Sequence, residues 1–367
     1  MKKSVITFMG AAFVLLVSSC KKECTDPVEC NPEIISIDES ELSAPRYGLA
    51  AAALSNKIVF AGGVFDVNTS YSDAVDIYDV TTGMWSTAAL SQARYALAAG
   101  AAGNKILFAG GYPGGGLFAT NTVDIYDVTA NTWSTSTLSE ARNGLAGAAA
   151  GNKILFGGGF GASNHTSTVD IYDVVAGTWS TSNLSVARTS LAAAAAGTKV
   201  LFGGGASFPP TKYATVDIYD VSTASWSTSA LSQARSHLAA AAAGNKILFA
   251  GGTSAGGTSD RVDIYDVVAG TWTTASLSSP RSDLAAAAVG NKILFGGGPS
   301  SNVVDIYDVS TNTWTTSTLS LARSNLAAAG TGDRLLFGGG SAAGGPTTRV
   351  DIFGLEPCDD KNAKRGK

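Results

Sequence analysis

A sevenfold internal repeat constrains the fold of this chain more than any other feature of its sequence. Each copy starts with an arginine and continues with an alanine-rich run, an apolar segment ending in Gly-Gly, a Val-Asp-Ile segment and a Trp segment, as between Arg94 and Trp133. The step from the arginine to the second glycine is 17 positions in every copy, whereas the connection from Gly-Gly to Val-Asp-Ile varies from 5 to 11 residues. This spacing indicates a rigid unit that carries one loop of variable length. The starting arginines are Arg46, Arg94, Arg142, Arg188, Arg235, Arg281 and Arg323.

Each copy divides into four short segments with turn residues between them. A corner such as Gly103-Asn104-Lys105 separates the first segment from the second, and Gly and Asn tolerate the positive φ of a tight hairpin. The Val-Asp-Ile-Tyr-Asp segment alternates apolar and polar residues, and the Trp segment is aromatic and β-branched, which is typical of strands. Alanine favours helices, but a six-residue run such as Leu191 to Ala196 is too short for that propensity to decide. The sequence therefore predicts four strands per copy.

Four antiparallel strands repeated every 42 to 48 residues are typical of the blades of a β-propeller. The Gly-Gly after the second segment, and a Tyr followed seven positions later by a Trp, as in Tyr126 and Trp133, resemble the kelch repeat. The resemblance covers about residues 33 to 355. It implies an all-β, seven-bladed β-propeller of kelch repeats with four antiparallel strands per blade. The alanine-rich first strand would line the central axis, where only small side chains fit.

The two ends of the repeat region predict how the ring closes. The seventh copy contains Val350-Asp351-Ile352-Phe353 but lacks a Trp segment, and Ile37 lies 9 positions before Arg46, which is the Trp register of the other copies. We therefore expect the segment from Ile34 to Ser43 to supply the outer strand of the last blade. This pairing would remove open strand edges, which otherwise promote aggregation.

The N-terminus resembles a bacterial lipoprotein signal. Lys2 and Lys3 precede an apolar stretch that is too short to span a bilayer, which is the pattern of an export signal. Val17-Ser18-Ser19-Cys20 resembles a lipobox, which implies cleavage before Cys20 and lipidation of its sulfur; an ordinary signal peptide cut nearby is the alternative. Lys21 after the cysteine resembles the outer-membrane sorting pattern.

These features predict the domain organisation and the location of the chain. We expect a lipoprotein signal peptide at residues 1–19, a lipidated N-terminal linker at 20–32, the propeller at 33–357 and a polar C-terminal tail at 358–367. The mature protein would be lipid-anchored in the cell envelope at the outer membrane, and the side of the membrane that it faces stays open.

The remaining cysteines would lie in an oxidising compartment, where disulfides persist. With Cys20 lipidated, three cysteines are left, and closure of the ring would bring Cys30 near Cys358. We therefore expect a Cys30–Cys358 disulfide, while pairing of Cys24 with either of them stays open.

Charge and composition narrow the classes of partner. Charged residues make up 15% of the chain and the net charge is −4, so a basic surface for nucleic acid is not expected. Beyond residue 20, polar residues interrupt every apolar run, so we expect membrane contact through the lipid anchor only. The chain is expected to be a monomer without a cofactor.

Candidate binding residues lie where the copies differ. In an up-and-down blade, the loop between strands two and three and the loop entering strand one emerge on one face, here called the variable face; the opposite side is the constant face. Aromatic, amide and hydroxyl side chains in these loops suit glycan stacking or peptide docking, although loop aromatics also serve simply to cap a blade. The candidate ligand-binding residues are Tyr47, Tyr95, Asn143, Ser190, His237, Asp283, Asn325, Tyr112, Phe160, His165 and Tyr213.

Residues that recur in every copy are expected to be structural. The seven starting arginines would fix a loop through hydrogen bonds to backbone carbonyls, and the alternative is a guanidinium ring that receives an anionic ligand. The tryptophans occupy one repeat position and would hold the blades together. They are Trp85, Trp133, Trp179, Trp226, Trp272 and Trp314.

The sequence favours binding over catalysis. His165 and His237 are the only histidines and lie in different copies, so a metal site is not expected. Galactose oxidase, another kelch propeller, uses a Tyr, Cys and His copper centre, and residues 31 to 357 contain no cysteine. We expect an envelope-anchored module that binds a protein or a glycan through the variable face. The alternative is a sugar-converting enzyme of the sialic-acid mutarotase kind on the same face.

Overall fold

The chain folds into a ring of seven four-stranded antiparallel sheets. The computed structural model describes residues 32–66, 70–116, 118–208 and 211–356, and within these ranges it contains strands and no helix, so that no membrane-spanning helix occurs there. Residues Glu33–Glu356 form one compact unit. In each sheet the strands are hydrogen-bonded in the order first, second, third and fourth from the axis outward. The predicted seven-bladed all-β propeller is confirmed.

The first strand of each blade lines the central axis and is built mainly from alanine. Side chains along it alternate between buried and half-buried. A Cβ on Gly147 would lie 2.5 Å from the carbonyl oxygen of Ala99 in the neighbouring blade, so the inner strands approach too closely for larger side chains. The first strands are Ala50–Leu54, Ala98–Ala102, Ala146–Ala150, Ala192–Ala196, Ala239–Ala243, Ala285–Val289 and Ala327–Thr331.

The second strand is buried on both faces because it lies between two neighbouring blades. A small residue at its end makes room for the next blade: a Cβ on Gly157 would lie 2.8 Å from the ring of Phe202. A continuous apolar run in this strand satisfies both faces at once. The second strands are Lys57–Ala61, Lys105–Ala109, Lys153–Gly157, Lys199–Gly203, Lys246–Ala250, Lys292–Gly296 and Arg334–Gly338.

The third strand is also buried, including the aspartate of its Val-Asp-Ile segment. The alternation of apolar and polar residues correctly predicts a strand. The polar side chains of this strand do not form a solvent-exposed face, however, because Asp124 is only 3% exposed. This burial requires a partner for the carboxylate. The third strands are Ala74–Asp79, Thr122–Asp127, Thr168–Asp173, Thr215–Asp220, Arg261–Asp266, Val303–Asp308 and Arg349–Leu355.

The fourth strand is the exposed outer edge of each blade. Its tryptophan is half-buried and packs against the tyrosine of the third strand, with ring centroids 4.9 to 5.0 Å apart. The fourth strands are Met84–Ala89, Thr132–Thr137, Thr178–Asn183, Ser225–Ala230, Thr271–Ser276, Thr313–Thr318 and, in the last blade, Ile34–Glu41.

The N-terminal strand closes the ring, as predicted. Ile34–Glu41 pairs antiparallel with Arg349–Leu355, the third strand of the last blade. A bulge skips Ile37 and places Ser36 opposite Phe353, so Ile37 does not take the cross-strand position that tryptophan has in the other blades. Its side chain instead occupies the space that a Cβ on Gly354 would need.

The hydrophobic core lies between the blades and not within them. Each of the seven clusters of buried residues combines side chains from two neighbouring blades. Ile352 and Leu336 of the last blade pack in one cluster with Phe60 and Ile58 of the first blade. The ring is therefore continuous around its whole circumference.

Four of the variable loops form short hairpins, which add small two-stranded sheets to one face of the ring. They pair Val64–Asp66 with Ser70–Tyr71, Ala206–Ser207 with Thr211–Lys212, Thr253–Ser254 with Gly257–Thr258, and Ser341–Ala342 with Gly345–Pro346.

The predictions for the two chain ends lie outside the described residues. They concern the signal peptide, the lipidation of Cys20 and the pairing of Cys30 with Cys358, and they stay predictions. The described residues next to them are joined: the backbone N–H of Glu356 donates to the carbonyl of Glu33 at 2.9 Å.

Candidate functional site

The two kinds of variable loop meet on one side of the ring. In six blades, the residue directly after Gly-Gly forms a β-bridge with the residue that follows the arginine. Tyr112 bridges to Tyr95 in this way, and Phe160 to Asn143. The Gly-Gly makes this approach feasible because a Cβ on Gly111 would lie 2.9 Å from the carbonyl oxygen of Tyr95. The variable face is thus a joint surface of both loops.

A closed circle of backbone hydrogen bonds surrounds the axis on this face. In each blade, the second residue after the arginine donates its N–H to the carbonyl of the corresponding residue in the preceding blade, over 2.9 to 3.1 Å. The seventh bond joins the first blade to the last, so every one of these N–H groups is used within the circle. The circle consists of Gly48, Ala96, Gly144, Ser190, His237, Asp283 and Asn325.

Every residue of this circle has a left-handed backbone. The φ values lie between 52° and 64°, and five of the seven residues are not glycine. A left-handed conformation costs a non-glycine residue about 1 kcal/mol or more, so the surrounding bonds must hold it in place. The circle therefore presents side chains from five blades in fixed directions, and these five side chains all differ.

A cavity of about 310 Å³ opens inside the circle. Its polar and aromatic lining, here called the mouth, consists of Tyr47, Tyr95, His237, Asp283 and Asn325. The tyrosines come from blades one and two, whereas the other three residues come from blades five, six and seven. The mouth therefore has an aromatic side and a polar side. The apolar lining is Leu49, Leu97, Leu238, Leu284 and Leu326.

Serines orient the polar side of the mouth. In blades five to seven, the residue directly after the arginine is a serine whose hydroxyl contacts the side chain that follows it. These pairs are Ser236 with His237 at 3.2 Å, Ser282 with Asp283 at 2.8 Å, and Ser324 with Asn325 at 3.4 Å.

A tyrosine cluster supports the aromatic side of the mouth. Tyr71 stacks on Tyr95, with ring centroids 5.7 Å apart and planes 9° apart, and Tyr112 packs 5.5 Å from both rings. Burial raises the pKa of Tyr95 above its ordinary value, and the neighbouring Tyr112 and Tyr47 raise it further. The Tyr95 phenol therefore stays protonated at neutral pH and acts as a neutral hydrogen-bonding group.

The other candidate residues lie outside the mouth. Phe160, His165 and Phe208 form an aromatic cluster with ring centroids 5.0 and 5.4 Å apart, and burial lowers the pKa of His165. Tyr213 shares a hydrogen bond of 2.7 Å with Ser207. Together with Tyr112 these residues form the rim of the variable face.

Two further candidates are held by the backbone of this face. Asn143 donates its amide to the carbonyl of Phe118 at 2.8 Å, and Ser190 belongs to the circle but does not line the cavity. The structure therefore brings five of the eleven candidates into one cavity.

The arginines that start the copies are buried and paired with aspartates. Arg94 is fully buried, and its guanidinium donates to Asp124 at 2.7 Å and to the carbonyls of Gln92 and Phe108 at 3.0 and 3.1 Å. Burial lowers the pKa of Arg94, and the charge of Asp124 opposes that shift. An anionic ligand at the surface does not reach these groups. The pairs are Arg46–Asp76, Arg94–Asp124, Arg142–Asp170, Arg188–Asp217, Arg235–Asp263, Arg281–Asp305 and Arg323–Asp351.

The aspartates of these pairs have a structural role that the sequence analysis did not predict. Asp124 also accepts the backbone N–H of Ser91 at 2.8 Å, so one carboxylate ties the entering loop to the third strand. The signal was present, because the Val-Asp-Ile aspartate recurs as regularly as the arginine and is the one polar residue inside an apolar strand.

The tryptophans connect neighbouring blades at the outer edge. Four of the six indole N–H groups donate to a serine hydroxyl of the preceding blade at 2.8 to 2.9 Å, whereas Trp133 and Trp314 face Ala88 and Ala275 at that position. The bonded pairs are Trp85 with Ser40, Trp179 with Ser136, Trp226 with Ser182, and Trp272 with Ser229.

The constant face repeats one ion pair and offers no candidate metal site. Lys57 and Asp79 approach to 2.6 Å, and five further blades carry the corresponding pair. The hydrogen bond from Lys57 lowers the pKa of Asp79 to about 2. Across the part of the chain that the structure describes, no group of three or more His, Cys, Asp or Glu side chains could hold a metal ion.

Comparison with known proteins identifies the repeat. The model of the KLHDC2/KLHL20/DRC7 Kelch-repeats domain matches residues 21–190, and the Kelch motif model matches residues 234–276. No curated protein matches the chain. The matched segments cover the first three blades and one later blade, and the remaining blades share their strand order and the registers of their first three strands.

Proposed function

Because the chain is a seven-bladed β-propeller of kelch repeats, we propose that it is a binding module that engages a protein or glycan partner through its variable face. In this proposal, lipidated Cys20 tethers the module to the cell envelope at the outer membrane. The fold itself suggests a protein-binding module, and function resides in the residues that the fold displays.

The circle of left-handed residues is the observation that carries the proposal. The residues that recur in every blade are used internally, since the arginines and their aspartates are buried and paired. The circle instead presents Gly, Ala, Ser, His, Asp and Asn from equivalent positions on one rigid frame. Diverse side chains on a rigid scaffold are what selective recognition requires.

The loops between second and third strands add exposed aromatic surface to the variable face. Phe118 is 61% and Phe208 is 77% exposed, and both belong to loops between second and third strands. Exposed aromatic residues around a pocket are favourable contact points for a macromolecular partner.

The position of the N-terminal strand supports outward display. Glu33 lies at the constant face, beside Glu356 and near the Asp333 corner, whose carbonyl accepts the N–H of Leu355. A linker of residues 20–32 attached there reaches at most about 45 Å when fully extended. A tether on the constant face leaves the variable face directed away from the membrane.

The binding proposal is tested by removing exposed aromatics from one face at a time. The full chain carrying Phe118→Ser and Phe208→Ser is compared with the wild type on protein and glycan arrays. The matched control carries Val175→Ser and Val268→Ser, because both valines are 82% exposed in turns of the constant face. We expect the first variant to lose array binding at least tenfold and the control to bind as the wild type; the reverse pattern would contradict the proposal.

The tether is tested separately. Cells that express the full chain are labelled with a radioactive fatty acid, and we expect Cys20→Ala to abolish incorporation while the unmodified chain is labelled. Equal labelling of both chains would contradict anchoring at Cys20.

One observation bears on the sugar-converting alternative. The mouth brings the imidazole of His237 and the carboxylate of Asp283 to one cavity, as acid–base chemistry would need. However, the described residues that line this cavity include no Lys or Arg to receive the carboxylate of a sialic acid. The geometry therefore favours binding over mutarotation.

A further inference from the structure

We propose that the mouth is a subsite for a single neutral sugar ring at the end of a glycan. The proposal rests on the variable face being the binding face, and it names the ligand that the cavity takes. A volume of about 310 Å³ is at the lower end of the range for ligand sites, so the mouth accommodates one ring and not a chain.

The polar side of the mouth matches the edge of a sugar. His237, Asp283 and Asn325 follow one another on three consecutive blades, and each carries a planar group with hydrogen-bonding atoms. Sugar hydroxyls both donate and accept, and the carboxylate, amide and imidazole together offer both functions. The circle and the adjoining serines fix these groups before a ligand arrives, which reduces the entropy lost on binding.

The aromatic side of the mouth matches the apolar face of a sugar. Tyr95 is held in place by its stacking on Tyr71, and its ring lies 3.3 Å from the position of a Cβ on Gly48. Tyr47 lines the same side of the cavity. An aromatic wall opposite a row of polar groups favours a ligand that has one apolar face and one hydroxylated edge.

The charge of the mouth excludes acidic sugars. Among the residues that the structure describes, Asp283 is the only Asp, Glu, Lys or Arg that lines the cavity, and the nearby arginines are buried against aspartates. The backbone N–H groups of the circle all donate to carbonyls within it. An anionic ligand would therefore meet the Asp283 carboxylate with no lysine or arginine among the described lining residues to balance it, whereas a neutral sugar gains a charge-assisted hydrogen bond from its hydroxyl to Asp283.

The proposal is tested by titrating the full chain with individual sugars, followed by ligand-observed NMR. The probes are the methyl glycosides of glucose, galactose, mannose and N-acetylglucosamine, with N-acetylneuraminic acid as the acidic probe. We expect at least one neutral glycoside to bind below about 10 mM, and N-acetylneuraminic acid to bind at least tenfold more weakly.

Two variants place the binding in the mouth. Asp283→Asn keeps the shape and tolerates the left-handed backbone but removes the charge, and we expect about tenfold weaker binding of the neutral glycoside. Asp333→Asn is the matched control, because it also removes one carboxylate charge, but Asp333 lies at a corner of the constant face with its side chain 55% exposed, and we expect unchanged binding.

Three outcomes would overturn the subsite. They are the absence of binding by every neutral glycoside at about 10 mM, equal binding of N-acetylneuraminic acid, and Asp283-dependent binding of Nα-acetyl-lysine methylamide in place of the sugars. In each case, array binding that still depends on Phe118 and Phe208 would leave the binding function of the variable face standing.

Discussion

Replacing Asp124 by alanine tests whether the buried ion pairs stabilise the blades. Asp124 accepts hydrogen bonds from Arg94 at 2.7 Å and from the backbone of Ser91 at 2.8 Å, and Arg94 is fully buried. Without the carboxylate, a buried guanidinium loses its counter-charge and a backbone N–H loses its acceptor. Because breaking a buried ion pair from one side costs about 3–5 kcal/mol, we expect Asp124→Ala to lower the free energy of unfolding by that amount.

The matched control breaks an exposed pair in the same blade. Lys105 lies 3.1 Å from Asp127 on the constant face, and the two side chains are 23% and 20% exposed. Ion pairs in contact with water contribute about 0–1 kcal/mol, so Lys105→Ala should have a correspondingly small effect. The double variant Arg94→Met with Asp124→Leu removes both buried charges and should recover most of the stability that Asp124→Ala loses.

Urea unfolding of the full chain, followed by tryptophan fluorescence, measures these differences. The midpoint and slope together give the free energy of unfolding of each variant. If Asp124→Ala is no more destabilising than Lys105→Ala, or if the double variant is as unstable as the single one, the burial argument is refuted.

The outer edge and the constant face give two further predictions. Trp179→Phe removes an indole N–H that is bonded to a serine of the preceding blade, whereas the neighbour of Trp133 is an alanine. We therefore expect Trp179→Phe to lower the free energy of unfolding by about 1 kcal/mol more than Trp133→Phe. Equal losses in urea unfolding would contradict a contribution of this hydrogen bond. The hydrogen bond from Lys57 lowers the pKa of Asp79 to about 2 in the folded chain. The ionised Asp79 therefore stabilises the fold fully above its ordinary pKa of 3.8, and this stabilisation is lost as the pH falls through about 2. A ¹³C carboxyl titration of Lys57→Met should show the Asp79 pKa returning towards its ordinary value, and an unchanged pKa would disprove the assignment.

The architecture was predictable because the repeat encodes it several times. The constant step from the arginine to Gly-Gly gave the length of the first two strands, and the missing Trp segment after Phe353 pointed to closure by the N-terminal strand. The bulge at Ile37 was not predictable, since it depends on how its side chain fits over Gly354.

The geometry of the candidate site was less accessible from the sequence. Ala96 gives no indication of a left-handed backbone, because alanine usually avoids it. Glycine at the equivalent positions Gly48 and Gly144 was the available signal, since glycine in two copies of one repeat position indicates a positive φ shared by all copies. Only the structure shows that the backbone bonds close into a circle around a cavity.

In the proposed binding function, the near-identity of the blades limits which residues can distinguish one side of the ring from another. Seven equal units by themselves produce a symmetric frame, in which each starting arginine pairs with an aspartate inside the protein. Recognition therefore depends on the few positions where the copies differ and the side chain faces the axis. Tyr47 and Tyr95 on one side of the mouth, and His237, Asp283 and Asn325 on the other, break the sevenfold symmetry without disturbing the frame. The backbone circle fixes His237, Asp283 and Asn325 through main-chain bonds that do not depend on their side chains, so we expect substitutions at these three positions to change the proposed ligand preference at little cost to the fold.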